Sequence, residues 1–355
     1  MQHLYRPFLI AFLFINIFVS SFAQIGGGST FDFLDRTNSA RVAALGGNIL
    51  AINDNDISLV LTNPSLINAE MNSTLALDFV TLNTAYNYGD IMYSRSFSKV
   101  GNFVGTFQFI NYGSFTYADI AGNTAGTFSA GEYALTIGWG RTLSPHFSIG
   151  ANGKLIYSQL ESYHSSGIAV DVAGSYHTLD DVFSASLVAR NIGYQLVPYI
   201  PGTHDPLPFE SQVGVAIKLK HIPVRISVLY NNLEKWDLTY DDPLAPANQV
   251  DPITGQAKKQ TGIGKFGDQL MRHIVVGTEI TIAKVLSIRV GYNYRLRKEM
   301  ELTDHTGLSG FTYGFGLRIK MFTLSYARAT YMAGTYNPNY FSLAMNLGQF
   351  THKKE

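Results

Sequence analysis

The 355-residue chain contains no cysteine. That excludes disulfides, thiol nucleophiles, cysteine-ligated zinc and a lipid-modified N-terminal cysteine. Charge is scarce too. Asp, Glu, Lys and Arg make up 15% of residues, against about 25% in soluble domains. Basic and acidic residues balance at 26 each, so the chain lacks the basic excess of a nucleic-acid binder. No stretch reaches the roughly 20 apolar residues that a membrane helix needs. Disorder is excluded by a hydrophobic content of 46%, because such a chain can bury a core. What is plentiful is Tyr (21), Phe (23) and Gly (33). Mean hydropathy is only +0.05. A helical membrane protein would be far more apolar. A β-barrel that alternates lipid-facing and lumen-facing residues averages to about this value.

Residues 1–23 read as a secretory signal. Arg6 gives a positive start, Phe8 to Val19 a short apolar core, and Ser21 and Ala23 the small residues before a cut at Gln24. From Ser73 onward a period of two dominates. In Leu286 to Arg297, the residues Leu286, Ile288, Val290, Tyr292, Tyr294 and Leu296 share one face, and Arg289, Arg295 and Arg297 lie on the other. A strand produces this separation; a helix does not. Fourteen such runs are expected, at 73–80, 84–97, 101–112, 131–141, 146–160, 165–177, 182–193, 208–219, 223–233, 270–282, 285–298, 310–320, 322–331 and 339–348. Connections after even strands are short, and most of those after odd strands are long. An even strand number with this alternation is the pattern of an outer-membrane barrel. The fold class is therefore all-β: a 14-stranded antiparallel transmembrane barrel over 73–350, with 351–355 as a tail. Lipid offers the backbone no hydrogen bonds, so the sheet must close. Tyr86, Tyr88, Tyr93, Tyr112, Tyr292, Tyr294, Tyr331 and Tyr340 fall near strand ends, as headgroup-level girdle residues would.

Residues 24–72 do not alternate. A short helix is expected at Arg41 to Leu45, closed by Gly46 and Gly47, and Asp56 is placed to cap a second at Ile57 to Leu61, ended by Pro64. Their apolar content favours burial as a plug inside the lumen. The segments Ser39-Ala40-Arg41-Val42-Ala43-Ala44-Leu45-Gly46-Gly47, Asp54-Asn55-Asp56 and Asn63-Pro64-Ser65-Leu66 resemble the N-terminal signature of the PorV/PorQ family of FadL-like outer-membrane barrels. The opening Ser29 to Leu34 and the modest length look closer to the PorQ branch. FadL-like chains carry Asn-Pro-Ala where this one has Asn63-Pro64-Ser65. The resemblance marks Arg41, Gly46, Gly47, Asp54, Asp56, Asn63 and Pro64 as the plug motif. It implies fourteen strands, a plug and a place in the type IX secretion system of Bacteroidetes. The implied partners are a PorZ-like surface protein within a cargo attachment complex, together with PorU-like and PorV-like components. The alternative it implies is FadL-like transport of hydrophobic solutes.

Chemistry of other kinds finds little support. Gly262-Ile263-Gly264-Lys265-Phe266-Gly267 matches G-x-G-x-x-G, but it lies in a polar loop rather than between a strand and a helix. The nine histidines show no paired ligand spacing. No G-x-S-x-G element is present. No catalytic, cofactor or metal residues are assigned, and the chain is read as a non-enzyme. Lumen-face charges (Glu132, Lys154, Lys218, Arg225, Glu279, Arg289, Arg295, Arg297, Arg318, Lys320) are expected to pair with one another or with plug carboxylates. Candidate partner-binding residues sit on two long outer loops: Tyr194, Tyr199 and Ile200 on 194–207, and Trp236, Tyr240, Asp241 and Asp242 on 234–269. The expected location is the bacterial outer membrane, with these loops at the cell surface, lipid around the wall and no nucleic-acid partner.

Overall fold

A computed structural model describes residues 28–82, 86–239, 262–300, 307–330 and 337–351. The expected signal at 1–23, Tyr331 and the loop residues Tyr240, Asp241 and Asp242 lie outside them. Fourteen strands form one closed antiparallel barrel in sequence order. They are β1 (Thr74–Thr81), β2 (Asn87–Phe97), β3 (Gly101–Ala118), β4 (Thr124–Ser144), β5 (Phe147–Leu160), β6 (Tyr163–His177) and β7 (Phe183–Val197), followed by β8 (Glu210–Lys218), β9 (Val224–Tyr230), β10 (Ile274–Ile282), β11 (Leu286–Asn293), β12 (Phe311–Ile319), β13 (Phe322–Ala329) and β14 (Asn339–Asn346). The first and last strands close the wall, from Thr74 opposite Asn346 to Thr81 opposite Asn339.

Alternation sorts the side chains. Leu77, Phe79, Ile91, Leu135, Leu155, Leu187, Phe315 and Phe341 are exposed on the outside, while Asp78, Asp90, Lys154, Asp171, Arg190 and Glu279 are buried inside. An exposed apolar exterior around a polar interior is the inverse of a soluble barrel and fits a lipid-facing wall. Among the described residues no helix is long and apolar enough to cross a membrane.

Several expected boundaries move. The loop expected at 113–130 is a hairpin that extends β3 and β4. Its turn is organised by Asp119, which accepts from the backbone N–H groups of Ala121 and Asn123. Strand β7 runs on to Val197, so Tyr194 is a strand residue rather than a loop residue. The alternation through Leu286 to Arg297 overshoots: β11 ends at Asn293, and Tyr294–Met300 is helical. Asn293 stops the strand, because its side chain caps the new helix by accepting from Leu296 N–H at 3.0 Å. Arg295 and Arg297 therefore leave the wall, and Arg295 pairs with Glu299 one turn along at 2.7 Å.

The Gly-rich segment expected as loop also turns helical, at Gly262–Arg272. Its polar side chains Asp268 and Arg272 pair at 2.8 Å, and Gln269 is buried. Tyr93 points outward, whereas Tyr88 and Tyr340 are buried in the interior and cannot be girdle residues. Tyr86 stacks on Tyr112 beside the plug, and Tyr112 donates to Glu132. Strand-end position alone does not distinguish a lipid-facing ring from a lumen-facing one; parity along the strand does.

The segment before β1 lies inside the barrel as a plug. It consists of α1 (Ala40–Ala44) and single turns at Asp32–Asp35, Ile57–Leu59, Pro64–Leu66 and Ala69–Met71. Each turn from Ile57 onward has its cap. Asp56 accepts from Ser58 N–H at 3.1 Å, Asn63 from Ser65 N–H at 2.9 Å and Asn68 from Glu70 N–H at 2.9 Å. Pro64 thus opens a turn instead of merely closing one. Val42, Leu45, Leu59 and Val60 are fully buried. Helix α1 packs on β11 to β14, and the Pro64 turn packs on β4 to β6, so the plug bridges opposite walls.

Candidate functional site

The plug-to-wall contact is built around Arg41. Its guanidinium meets Asp54 at 2.7 Å and Asp56 at 3.0 Å within the plug, and Glu279 of β10 at 2.8 Å. Glu279 also accepts from Arg289 at 3.0 Å and faces Arg225 at 3.5 Å, while Arg225 reaches Asp54 at 3.2 Å. Three guanidiniums and three carboxylates form one cluster. Burial alone would raise the Asp54 carboxyl. The charge and hydrogen bonds of Arg41 and the charge of Arg225 outweigh it and hold the group well below the usual carboxylate range. The expected pairing of wall charges is met here by Arg225 with plug Asp54 and by Arg289 with wall Glu279, while Glu279 also takes the plug cation Arg41; Lys218, Arg318 and Lys320 enter no ion pair among the described residues.

The other motif residues serve the same fit. Gly46 and Gly47 close α1 with left-handed backbone, at φ +104° and +91°. Gly46 N–H donates to Thr312 at 3.0 Å, and Asn293 donates to Gly46 C=O at 3.2 Å. Asn63 is fully buried and donates to Leu50 C=O at 2.6 Å and to Ser175 at 3.2 Å. The wall supplies glycine where plug backbone comes closest: a Cβ at Gly150 would strike Pro64, and one at Gly291 would strike Gly46.

A second ionic group lies on β5 to β8. Lys154 pairs with Asp171 at 2.8 Å and Arg190 with Glu210 at 2.8 Å, while Asn191 donates to plug Asp35 at 2.8 Å. A third site has no cation. Asp78 and Asp90 stand directly opposite on β1 and β2, both buried. Asn38 of the plug donates to Asp90 at 2.7 Å, and neither carboxylate enters an ion pair among the described residues. Asn38, Asp35, Asp78, Asp90, Asp171 and Glu210 were not singled out from sequence. Period-two parity places all the strand members of that set on the lumen face.

Between plug and wall, near Asp35, Asn38, Asp90 and Lys154, there is a cavity of about 20 Å³, roughly the space of one water. At the short-turn end a larger cavity of about 340 Å³ opens below the Arg41 cluster. At the long-loop end the candidate residues divide. Tyr199 is half-buried, hydrogen-bonds Ser158 and lies 6.4 Å from the Phe31 ring, so it ties the loop to the plug. Tyr194, Ile200 and Trp236 are exposed, Tyr194 against His204 and Trp236 against His273 and Phe266. The two loops contribute to one end of the barrel; no contact joins Ile200 to Trp236 among the described interactions. No group of three or more metal-ligating side chains occurs among the described residues.

No family model and no curated relative matches the chain. Solved structures do. The toluene transporter TodX of P. putida aligns with 88% of this chain and 99% of its own, at 9% identity and a TM-score of 0.53. The toluene transporter TbuX of Ralstonia pickettii aligns over 88% and 99%, at 10% identity and a TM-score of 0.51. A Pseudomonas aeruginosa FadL homologue aligns over 90% and 100%, at 10% identity and a TM-score of 0.46. At such identities the likeness is one of architecture: the chain shares the fourteen-strand barrel fold of TodX and TbuX.

Proposed function

We propose that this chain is an outer-membrane barrel whose plug seals the lumen and whose long-loop end holds a partner at the cell surface. The observation that carries this reading is the Arg41 cluster, which fastens the plug to the wall by direct ion pairs to Glu279 and Arg225, with Arg289 bracing Glu279 from the neighbouring strand. A lumen filled with buried polar contacts is suited to anchoring rather than to an open channel. The exposed Ile200 and Trp236 then supply apolar and aromatic contact at the outer rim. The further assignment to type IX secretion, with a PorZ-like partner and PorU-like and PorV-like neighbours, is carried by the resemblance of the plug motif alone.

A second reading is passage of hydrophobic solutes. The comparisons favour this one: TodX and TbuX, which share the fold, are toluene transporters. It requires the plug to shift, because apolar side chains of plug and wall are packed against each other, the cavity beside Asp35 and Lys154 holds only about 20 Å³, and the larger one is lined by charge. Neither reading calls for an enzyme. Two measurements separate them. Pull-down from solubilised outer membrane should recover a soluble surface protein, and deletion of 241–261 should release it while the barrel stays folded. Uptake of a labelled hydrocarbon or fatty acid into liposomes carrying the purified barrel, with no partner recovered, would make the second reading the function.

A further inference from the structure

The cavity of about 340 Å³ at the short-turn end has an uneven charge balance. Its floor is the Arg41 cluster, in which Arg41, Arg225 and Arg289 offset Asp54, Asp56 and Glu279. Its rim carries four more cations, Lys218, Lys284, Arg318 and Lys320. None of these four enters an ion pair among the described residues, and Arg318 donates only to Asn55, at 3.3 Å. Lys218 and Arg318 share lumen-facing parity with the buried residues Ala216 and Thr312 of their own strands. The mouth therefore holds four uncompensated positive charges above a neutral floor, in a chain of zero net charge.

We propose that this vestibule docks an acidic peptide segment presented from the short-turn side. The spacing of the rim argues for a segment over a single small anion. β8, which ends at Lys218, and β12, which leads into Lys320, stand four strands apart in the wall. At about 4.8 Å per strand that is roughly 19 Å of arc, the reach of about six extended residues. One phosphate cannot touch both ends; several Asp or Glu side chains in one segment can. A volume of about 340 Å³ is also within the usual range of ligand pockets, about 300–1,000 Å³. The chain's own last residues do not fit the role, because His352-Lys353-Lys354-Glu355 is more basic than acidic. With the proposed outer-membrane placement, that side is the periplasm.

The test uses the full-length protein in nanodiscs and a fluorescent hexapeptide of alternating Asp and Glu, with its Asn/Gln counterpart as control. The acidic peptide should bind saturably and more weakly as salt rises. Joint replacement Lys218→Gln, Lys284→Gln, Arg318→Gln and Lys320→Gln should weaken binding at least about tenfold. Lys220→Gln should change nothing, because Lys220 pairs with Asp180 outside the cavity. If the fourfold variant does not fold, Lys284→Glu and Lys320→Glu singly should each weaken binding. Equal binding of the neutral peptide, unchanged affinity in the variants, or displacement by inorganic phosphate at equal charge would each overturn the proposal. The surface-partner pull-down reads the opposite end of the barrel, so the two can fail independently.

Discussion

The Arg41 cluster and the Asp78–Asp90 pair are both buried where plug meets wall, yet they treat charge in opposite ways. In the first, every carboxylate has a guanidinium within 3.5 Å. In the second, two carboxylates face each other across neighbouring strands and receive a plug amide rather than a cation. Breaking a buried ion pair leaves an orphan charge, whereas replacing a carboxyl that has no cation partner leaves none. The cluster is thus a fastening by charge, and at the pair the plug is joined through the Asn38 amide.

Four experiments would break or sharpen that contrast. The largest effect is expected for Arg41→Ala, which strips the shared cation from Asp54, Asp56 and Glu279. Plug docking should weaken by about 3–5 kcal/mol, read as a lower unfolding midpoint in lipid vesicles and a rise in ion conductance. A variant that stays sealed and equally stable would mean that apolar packing alone holds the plug. Next comes Gly291→Val, which drives a side chain into the backbone at Gly46. A loss of about 1–3 kcal/mol is expected, with the wall intact by circular dichroism.

The third experiment is acid titration. The Asp54 carboxyl is held low in the folded protein. Its contribution is therefore complete above the unfolded carboxylate range and lost as pH falls through the folded value. Arg225→Gln removes one of its cations, found at 3.2 Å, so the acid loss of thermal stability should begin at higher pH than in the parent. An unchanged profile would detach Asp54 from the lock. The smallest effect is expected for Asp90→Asn. It keeps an acceptor for Asn38 and places no charge beside Asp78, so the midpoint should stay level or rise slightly. A large drop would show that the pair needs its carboxyl.

Much of this was legible in the residues. Fourteen strands follow from the period of two, because lipid on one side and a polar lumen on the other leave a separation that no helix produces. The plug motif was legible through its caps: Asp56 and Asn63 do what short polar side chains do before a turn. Partner identity inside the lumen was not. Parity says that Glu279 points inward, but not that Arg41, 238 residues earlier, meets it. The helix Tyr294–Met300 was hidden because its sequence continues the alternation of β11, and only the Asn293 cap marks the change. The helix Gly262–Arg272 was hidden by three glycines within six residues, a poor local helix former stabilised by the packing of Asp268, Gln269 and Arg272. The outer-rim residues were read as loop from length, and the β3–β4 hairpin shows how a long connection can be strand.

The bridging plug also bears on the order of assembly. Ala40 N–H donates to Ser342, 302 residues downstream on the last strand, and that strand also closes the wall against β1. This early segment thus waits for strands β11 to β14 before it has its full resting place. Its opposite end, at Pro64, can settle on β4 to β6 while later strands are still missing. Insertion should therefore pass through an open, half-seated sheet. Seating α1 then depends on β11 to β13 as well as on the seam, and a chain truncated before β11 should lose both together.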